Sequence, residues 1–271
     1  MTSTVRPAAV AGTFYPGSPA ELGSTIDQLL TTARADPAVK AATPNALPKA
    51  LIVPHAGYIY SGAVAASGFA RVANGADRLE RVVIISPAHR VYCEGLTWPG
   101  TTHLRTPLGE IEVDVAAIRA IPELVAQPAV HAREHAIEVE LPFVQRLAPR
   151  AKVIPIAASH ASPALVGKVL DQLWGGPETL IVISSDLSHY HPYADAHERD
   201  RRTAAKIIAL DTGLEGEEAC GCTGINGLAW VARRRHLRVE VLDLRNSGDT
   251  AGPRDEVVGY GAFALYEETQ P

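Results

Sequence analysis

The sequence predicts one three-layer α/β/α domain over residues 1–271, built on a mixed, mostly parallel central sheet. Two patterns predict it. Short runs rich in Val and Ile recur without polar alternation, as strands covered on both faces do. Helix-like stretches separate these runs, and strand alternating with helix builds a layered sheet with helices on both faces. Length agrees: 271 residues, 46% hydrophobic and 20% charged, suffice for a full core. A chain of that size buries roughly three quarters of its unfolded surface and needs no disulfide or metal staple.

In chain order, residues 20–34 read as the first helix, and the Pro-rich piece 36–48 as a surface connection with too little chain before it to be a domain linker. A strand at 50–53, a helix at 62–73 and a strand at 81–85 follow. The polar patch 97–112 carries the turn residues Pro99, Gly100, Pro107 and Gly109 and predicts a hairpin or an added edge strand, which makes the sheet mixed. Helices at 114–120 and 135–147 lead to a strand at 152–157, a helix at 163–173 and a strand at 180–183. Helices at 195–210 and 225–235 precede a strand at 239–242. The last strand, 257–266, contains Gly259 and Gly261, which signal a bulge or a close backbone approach.

Composition excludes several functions. The net charge is −5, and the only basic run is Arg233, Arg234 and Arg235, so nucleic acid is not an expected partner. Three cysteines cannot form an extracellular disulfide framework, which points to a reducing compartment. Residues 1–19 lack the apolar core and cleavage site of a secretory signal. No run approaches the roughly 18 apolar residues of a membrane span. The expected location is the cytoplasm. Ten His beside one Met and four Phe point to site chemistry rather than packing.

The strand exits carry the chemistry. Leu51-Ile52-Val53 runs into Pro54 and His55; Val83-Ile84-Ile85 runs into Ser86, Pro87, Ala88 and His89; Ile181-Val182-Ile183 runs into Ser184, Ser185, Asp186 and His189. Ligands of open α/β sheets sit outside the carboxyl ends of the strands, so parallel neighbours bring these imidazoles together, as a metal requires. A single His after a strand is usually a loop residue bonded to backbone; the threefold repetition argues for more. Pro54 and Pro87 stop their strands and stiffen the exits of His55 and His89.

A third ligand is either a carboxylate or a thiolate from Cys220 or Cys222. These lie in a Gly-rich turn before a helix starting near Ile225 or Asn226, where the helix dipole lowers a thiol pKa. Cys93, in a polar loop, reads as incidental. Asp186 and His189 form an acid/base pair in which the carboxylate orients a neutral imidazole, while an extended His189-x-His191 sends its rings to opposite sides. His131, Glu134 and His135 match H-x-x-E-H, the inverzincin zinc-peptidase pattern. The competing reading is a helix start with Glu134 in its first turn and Ile137, Leu141 and Val144 as the buried stripe.

The chain resembles the Memo family, whose bacterial and archaeal members are called AmmeMemoRadiSam system protein B. The resemblance begins at Arg6-Pro7 and Val10-Ala11-Gly12-Thr13-Phe14-Tyr15-Pro16 and continues through Pro54-His55-Ala56-Gly57-Tyr58, Ser86-Pro87-Ala88-His89 and Arg105-Thr106-Pro107-Leu108. Glu134-His135-Ala136-Ile137-Glu138, Leu141-Pro142-Phe143 and Ser184-Ser185-Asp186-Leu187-Ser188-His189 extend it. Cys220-Gly221, Asn246-Ser247-Gly248-Asp249 and Val258-Gly259-Tyr260 close it.

The family is similar in fold to LigB-type class III extradiol dioxygenases, which are non-haem iron enzymes. The resemblance implies His55, His89 and Cys220 as metal ligands, His189 with Asp186 as the acid/base pair, and His135, Glu138, Tyr58 and Cys222 as pocket residues. It also implies a mononuclear metal, Fe(II) first and copper or zinc as alternatives, because a thiolate replaces the dioxygenase carboxylate. The implied function is a dioxygenase-like oxidoreductase acting on an unidentified small chelating substrate. The alternatives are a non-catalytic metal- or peptide-binding scaffold working with radical-SAM and AMMECR1-like proteins, and a zinc hydrolase.

Overall fold

The computed structural model describes residues 4–37, 39 and 47–267. Its first half runs β1 (Val5–Arg6), α1 (Pro19–Ala35), β2 (Ala50–Val53), a π-helical turn (Tyr58–Gly62), α2 (Ala63–Ala70), β3 (Arg81–Ser86), β4 (Leu96–Trp98), β5 (His103–Thr106) and β6 (Gly109–Glu112). Next come α3 (Val115–Arg119), β7 (Leu124–Ala126), α4 (Pro128–His131), α5 (Ala136–Leu147), β8 (Lys152–Ala157), α6 (Pro163–Gln172) and β9 (Thr179–Ser184). The chain ends with β10 (His189–His191), α7 (Tyr193–Ile208), α8 (Cys222–Arg234), β11 (Leu237–Asn246) and β12 (Val257–Glu267). Most of the connection expected at 36–48 lies outside the described residues.

The apolar runs form the centre of the sheet. β2, β9, β3 and β8 stand side by side in that order, all parallel. β12 pairs antiparallel with β2, and β4 pairs antiparallel with β8. With β7 beside β4, and β10 and β11 on β12, the sheet has nine strands and is mixed, as expected. Residues of β2 and β9 are buried throughout because both faces are covered. Successive residues show the two faces: a Cβ on Gly224 of α8 would lie 3.0 Å from Ile183, while the Ser184 hydroxyl meets the Ala136 carbonyl of α5 at 2.9 Å. α1 packs on α2 and α5 on one side, and α6 packs on α8 on the other.

The expected hairpin is β5–β6, but it joins β1 in a separate three-stranded sheet, while β4 is the added strand of the main sheet. Gly259 lies where a Cβ would fall 2.0 Å from Asp200 Oδ2, the close approach expected of the last strand. No described helix is long and apolar enough to cross a membrane.

β1 anchors the amino-terminal segment to the main body. The Arg6 guanidinium pairs with the buried Glu138 carboxylate and donates from Nε to the His131 carbonyl at 3.0 Å. Glu138 also accepts from the backbone N–H groups of Ala9 (2.8 Å) and Val10 (3.0 Å) and from the Tyr15 hydroxyl (2.5 Å). Glu138→Ala would leave Arg6 buried without its counter-charge, so it is expected to lower unfolding free energy by about 3–5 kcal/mol in urea titrations.

His131 is 3% exposed, its Nε2 lies 3.2 Å from Thr97 Oγ1, and burial lowers its pKa from 6.5 to about 4. The unfolded chain takes up this proton below its ordinary pKa while the folded chain does not. Stability present at neutral pH is therefore lost as pH falls from 6.5 towards 4. His131→Asn is expected to reduce that slope by about one proton, or about 1.4 kcal/mol per pH unit.

Candidate metal centre

The site is assembled at the carboxyl ends of β2, β9 and β3. Pro54 has no N–H to continue the ladder, and the next residue, His55, is 1% exposed. Its backbone N–H donates to Asp186 Oδ1 at 2.9 Å, and its ring Nδ1 lies 2.8 Å from Ser184 Oγ. Because β9 lies between β2 and β3, Asp186 leaves the sheet between the two histidine exits. Burial raises its carboxyl pKa to about 7.

Glu134 holds His89. One oxygen accepts from the His89 backbone N–H at 2.6 Å, and the other lies 2.9 Å from ring Nδ1. That second oxygen also accepts from the N–H groups of His135 (2.9 Å) and Ala136 (3.0 Å) at the start of α5. Burial alone would push this carboxyl up, but the His89 imidazole and the backbone donors outweigh it and hold the pKa down at about 2. An ionised Glu134 therefore accepts a hydrogen bond from Nδ1–H of His89 and leaves the Nε2 lone pair for a ligand, the usual support of a metal-bound imidazole.

Cys220 arrives on the turn before α8. A Cβ on Gly221 would fall 2.6 Å from Ser185 Cβ, so only glycine lets this turn lie on the exit of β9. Cys220 N–H donates to the Asp186 carbonyl at 3.2 Å, and Asp186 N–H donates back to Cys220 Sγ at 3.3 Å. Sγ lies 3.4 Å from His55 Nε2. The donor atoms of His55, His89 and Cys220 all lie within 4.8 Å of one another, as do those of the overlapping group His89, Glu134 and His135. Two imidazoles and a thiol suit zinc, copper or iron and are poor donors for magnesium or calcium, so the residues fit a transition-metal ion. Burial pushes the Cys220 thiol well up, opposite to the expected helix-start effect. α8 begins at Cys222, so Cys220 precedes the cap and desolvation dominates; a bound cation reverses this by displacing the proton.

A cleft of about 560 Å³ opens beside these donors, with His55, His89, His135, Asp186 and His189 on its walls. Burial lowers the pKa of His189, and burial brings His135 down to about 4, so both rings are neutral at pH 7. Tyr190, next to His189, has φ +58°, a left-handed conformation costly for a bulky residue, and its side chain is 70% exposed at the cleft.

Several expectations are corrected. The Asp186 carboxylate bonds the His55 backbone, and its other oxygen lies 4.0 Å from His55 Nε2; it orients His55 rather than His189. Glu138 is the anchor of Arg6, and the buried Tyr58 donates to the Val139 carbonyl at 2.7 Å, so neither lines the cleft. Cys222, the first residue of α8, lies outside the cleft lining and both donor groups. Cys93, by contrast, is incidental as expected and packs with Val130 and Ala157 in a satellite cluster. His131 and His135 do not share a helix, because α4 ends at His131 and α5 starts at Ala136. The H-x-x-E-H match therefore lacks the helical turn that zinc peptidases need. Ser184, Glu140 and the exposed Arg90, which lines the cleft, were missed; only adjacency to the His89 exit could have marked Arg90.

Fold and site together define an α/β protein with a mixed sheet and a two-His, one-Cys cluster beside a cleft at the strand exits. The family model described as Memo-like protein matches residues 6–264, so the chain belongs to this family. It is 33% identical over 274 residues to a MEMO1 family protein of Aquifex aeolicus, covering 94% of this chain and 97% of the relative. A MEMO1 family protein of Ignicoccus hospitalis is 34% identical over 279 residues (95% and 97% covered), and one of Archaeoglobus fulgidus is 29% identical over 275 (96% and 99%).

The Glu134 contact yields an expected outcome. Glu134→Gln is expected to weaken zinc affinity by about 10–100-fold in competition with a chromophoric chelator, with the circular dichroism spectrum unchanged.

Proposed function

We propose that this protein is a metal-dependent, dioxygenase-like oxidoreductase that holds one ion, Fe(II) by preference, through His55, His89 and Cys220 and acts on a small substrate in the adjoining cleft. The observation that carries this reading is the meeting of three soft or borderline donors within 4.8 Å beside a cleft that also holds His189, which is not one of them. When bound, such an ion supplies open positions for dioxygen and a chelating substrate.

The chain's own residues do the rest. Asp186 and Ser184 hold the His55 backbone and ring, and Glu134 holds those of His89. His189, neutral at pH 7, accepts the proton of a substrate hydroxyl at a ring nitrogen. Phe14, Tyr60 and Tyr260 give the cleft aromatic walls against which an apolar part of a substrate packs. The cysteines Cys93, Cys220 and Cys222 are free thiols, in keeping with a cytoplasmic setting.

A second reading is a scaffold that binds the metal without turnover and engages radical-SAM and AMMECR1-like partners. It is favoured by Ile59 and Tyr190, each 70% exposed, the first adjacent to and the second within the cleft lining.

Elemental analysis of anaerobically purified protein and of Cys220→Ser, paired with oxygen uptake by the iron-loaded protein across catechols and other chelating substrates, separates the two. The oxidoreductase reading expects iron that Cys220→Ser loses, and uptake that His189→Ala lowers by about 10²–10⁴-fold at unchanged iron content. Iron-loaded protein with no uptake and no substrate-dependent spectral change overturns it. Partner capture that survives His189→Ala then supports the scaffold.

A further inference from the structure

Three glutamates at the start of α5 are buried together and meet different partners. Glu134 faces His89 and backbone donors, and Glu138 faces Arg6. Glu140 is 0% exposed and, among the described residues, faces no cation: its one hydrogen-bond partner there is Ser184 Oγ at 2.8 Å, and its Oε2 is buried without a partner. The charged group that acts on it is Asp186, which repels a second negative charge.

Ser184 Oγ has three polar neighbours: the Ala136 carbonyl at 2.9 Å, Glu140 Oε1 at 2.8 Å and His55 Nδ1 at 2.8 Å. A hydroxyl offers one proton and two lone pairs. The Ala136 carbonyl can only accept, so it takes the hydroxyl proton. Both remaining neighbours must then donate, which requires Nδ1–H on His55 and O–H on Glu140. If Ser184 instead donated to an ionised Glu140, a dry carboxylate would be left with one oxygen unpartnered and no counter-charge, an arrangement far costlier than a neutral acid with an unpartnered carbonyl. Burial, which pushes the Glu140 carboxyl well above its usual range, agrees with the proton count.

We infer that Glu140 is a neutral carboxylic acid at pH 7 that donates a hydrogen bond to Ser184 and, through it, fixes His55 as the Nδ1–H tautomer with its Nε2 lone pair turned to the donor cluster. Glu140 is a positioning residue. Nε2 so fixed lies 3.4 Å from Cys220 Sγ. This inference rests on His55 belonging to the proposed metal centre, but not on the reaction assigned there.

The test uses metal-free protein first. The infrared difference between wild type and Glu140→Gln, in H₂O and D₂O, is expected to show a protonated-carboxyl band lost in the variant at pH 7 and still at pH 8.5, where Asp186, raised only to about 7, has given up its proton and contributes no such band. Nitrogen NMR is expected to find His55 as the Nδ1–H tautomer in wild type and in Glu140→Gln, whose amide N–H replaces the carboxyl donor. Glu140→Met, which has no donor, is expected to lose that tautomer and to bind zinc about tenfold or more weakly, while Glu140→Gln stays within about threefold of wild type. Absence of the band, or an unchanged His55 tautomer in folded Glu140→Met, overturns the inference. If Glu140→Met does not fold, the infrared comparison decides alone. Absence of oxygen uptake would overturn the oxidoreductase reading and leave the band and tautomer as they are.

Discussion

The position of β9 between β2 and β3 decides where every chemically active group can lie. Parallel strands release their following residues at the same edge, and the middle exit is the one within reach of both neighbours. Asp186 occupies that middle exit, so its backbone can exchange hydrogen bonds with Cys220 while its carboxylate holds His55. The turn carrying Cys220 comes close enough only because Gly221 has no side chain to strike Ser185. The cluster is therefore a product of strand order and one glycine, not of local sequence.

Around that cluster, buried carboxyl groups differ by what surrounds them. Glu138 meets a guanidinium and secures the amino-terminal segment. Glu134 lies at a helix start, where backbone N–H groups and an imidazole keep it charged despite burial. Glu140, two residues beyond Glu138, has only a hydroxyl among the described residues. Charge in such places follows the donors supplied, since desolvation acts on all three in the same direction. The two ligand-set histidines are thus braced by different means, His89 directly by a charged group and His55 through Ser184.

Much of the fold was legible in the sequence because buried parallel strands leave continuous apolar runs: 50–53 and 152–157 are the strands Ala50–Val53 and Lys152–Ala157 to the residue. β1, β7, α4 and β10 span two to four residues, too few to display a period. Strand exits also made His55 and His89 visible, and the Gly-rich turn before a helix start made Cys220 visible. Partners were not. Asp186 and His189 are close in the chain, yet the Asp186 carboxylate turns to a residue 131 positions away. The resemblance implied Glu138 as a pocket residue and nothing in the sequence marked Glu140; α5 is buried on nearly every side from Ala136 to Val144, and only tertiary structure reveals what their carboxyl groups meet.

A thiol at Cys220, where the proposed ligand set has sulfur rather than a carboxylate, has a consequence for the neighbouring charges. A thiol is costlier to ionise in a buried site than a carboxyl, and burial here pushes it up strongly, so without a bound cation the Cys220 thiol keeps its proton. Asp186, with its pKa near neutrality at about 7, contacts both the Cys220 backbone and the His55 side of the cluster. If a cation bound and displaced the Cys220 proton to solvent, the added negative sulfur and the added positive ion would largely offset each other at Asp186. The same carboxylate can then stay where it is in both states, and the strand exits need not move to accept the ion. A preformed cluster that tolerates either charge state is what the rigid Pro54 exit and the close Gly221 turn are suited to hold.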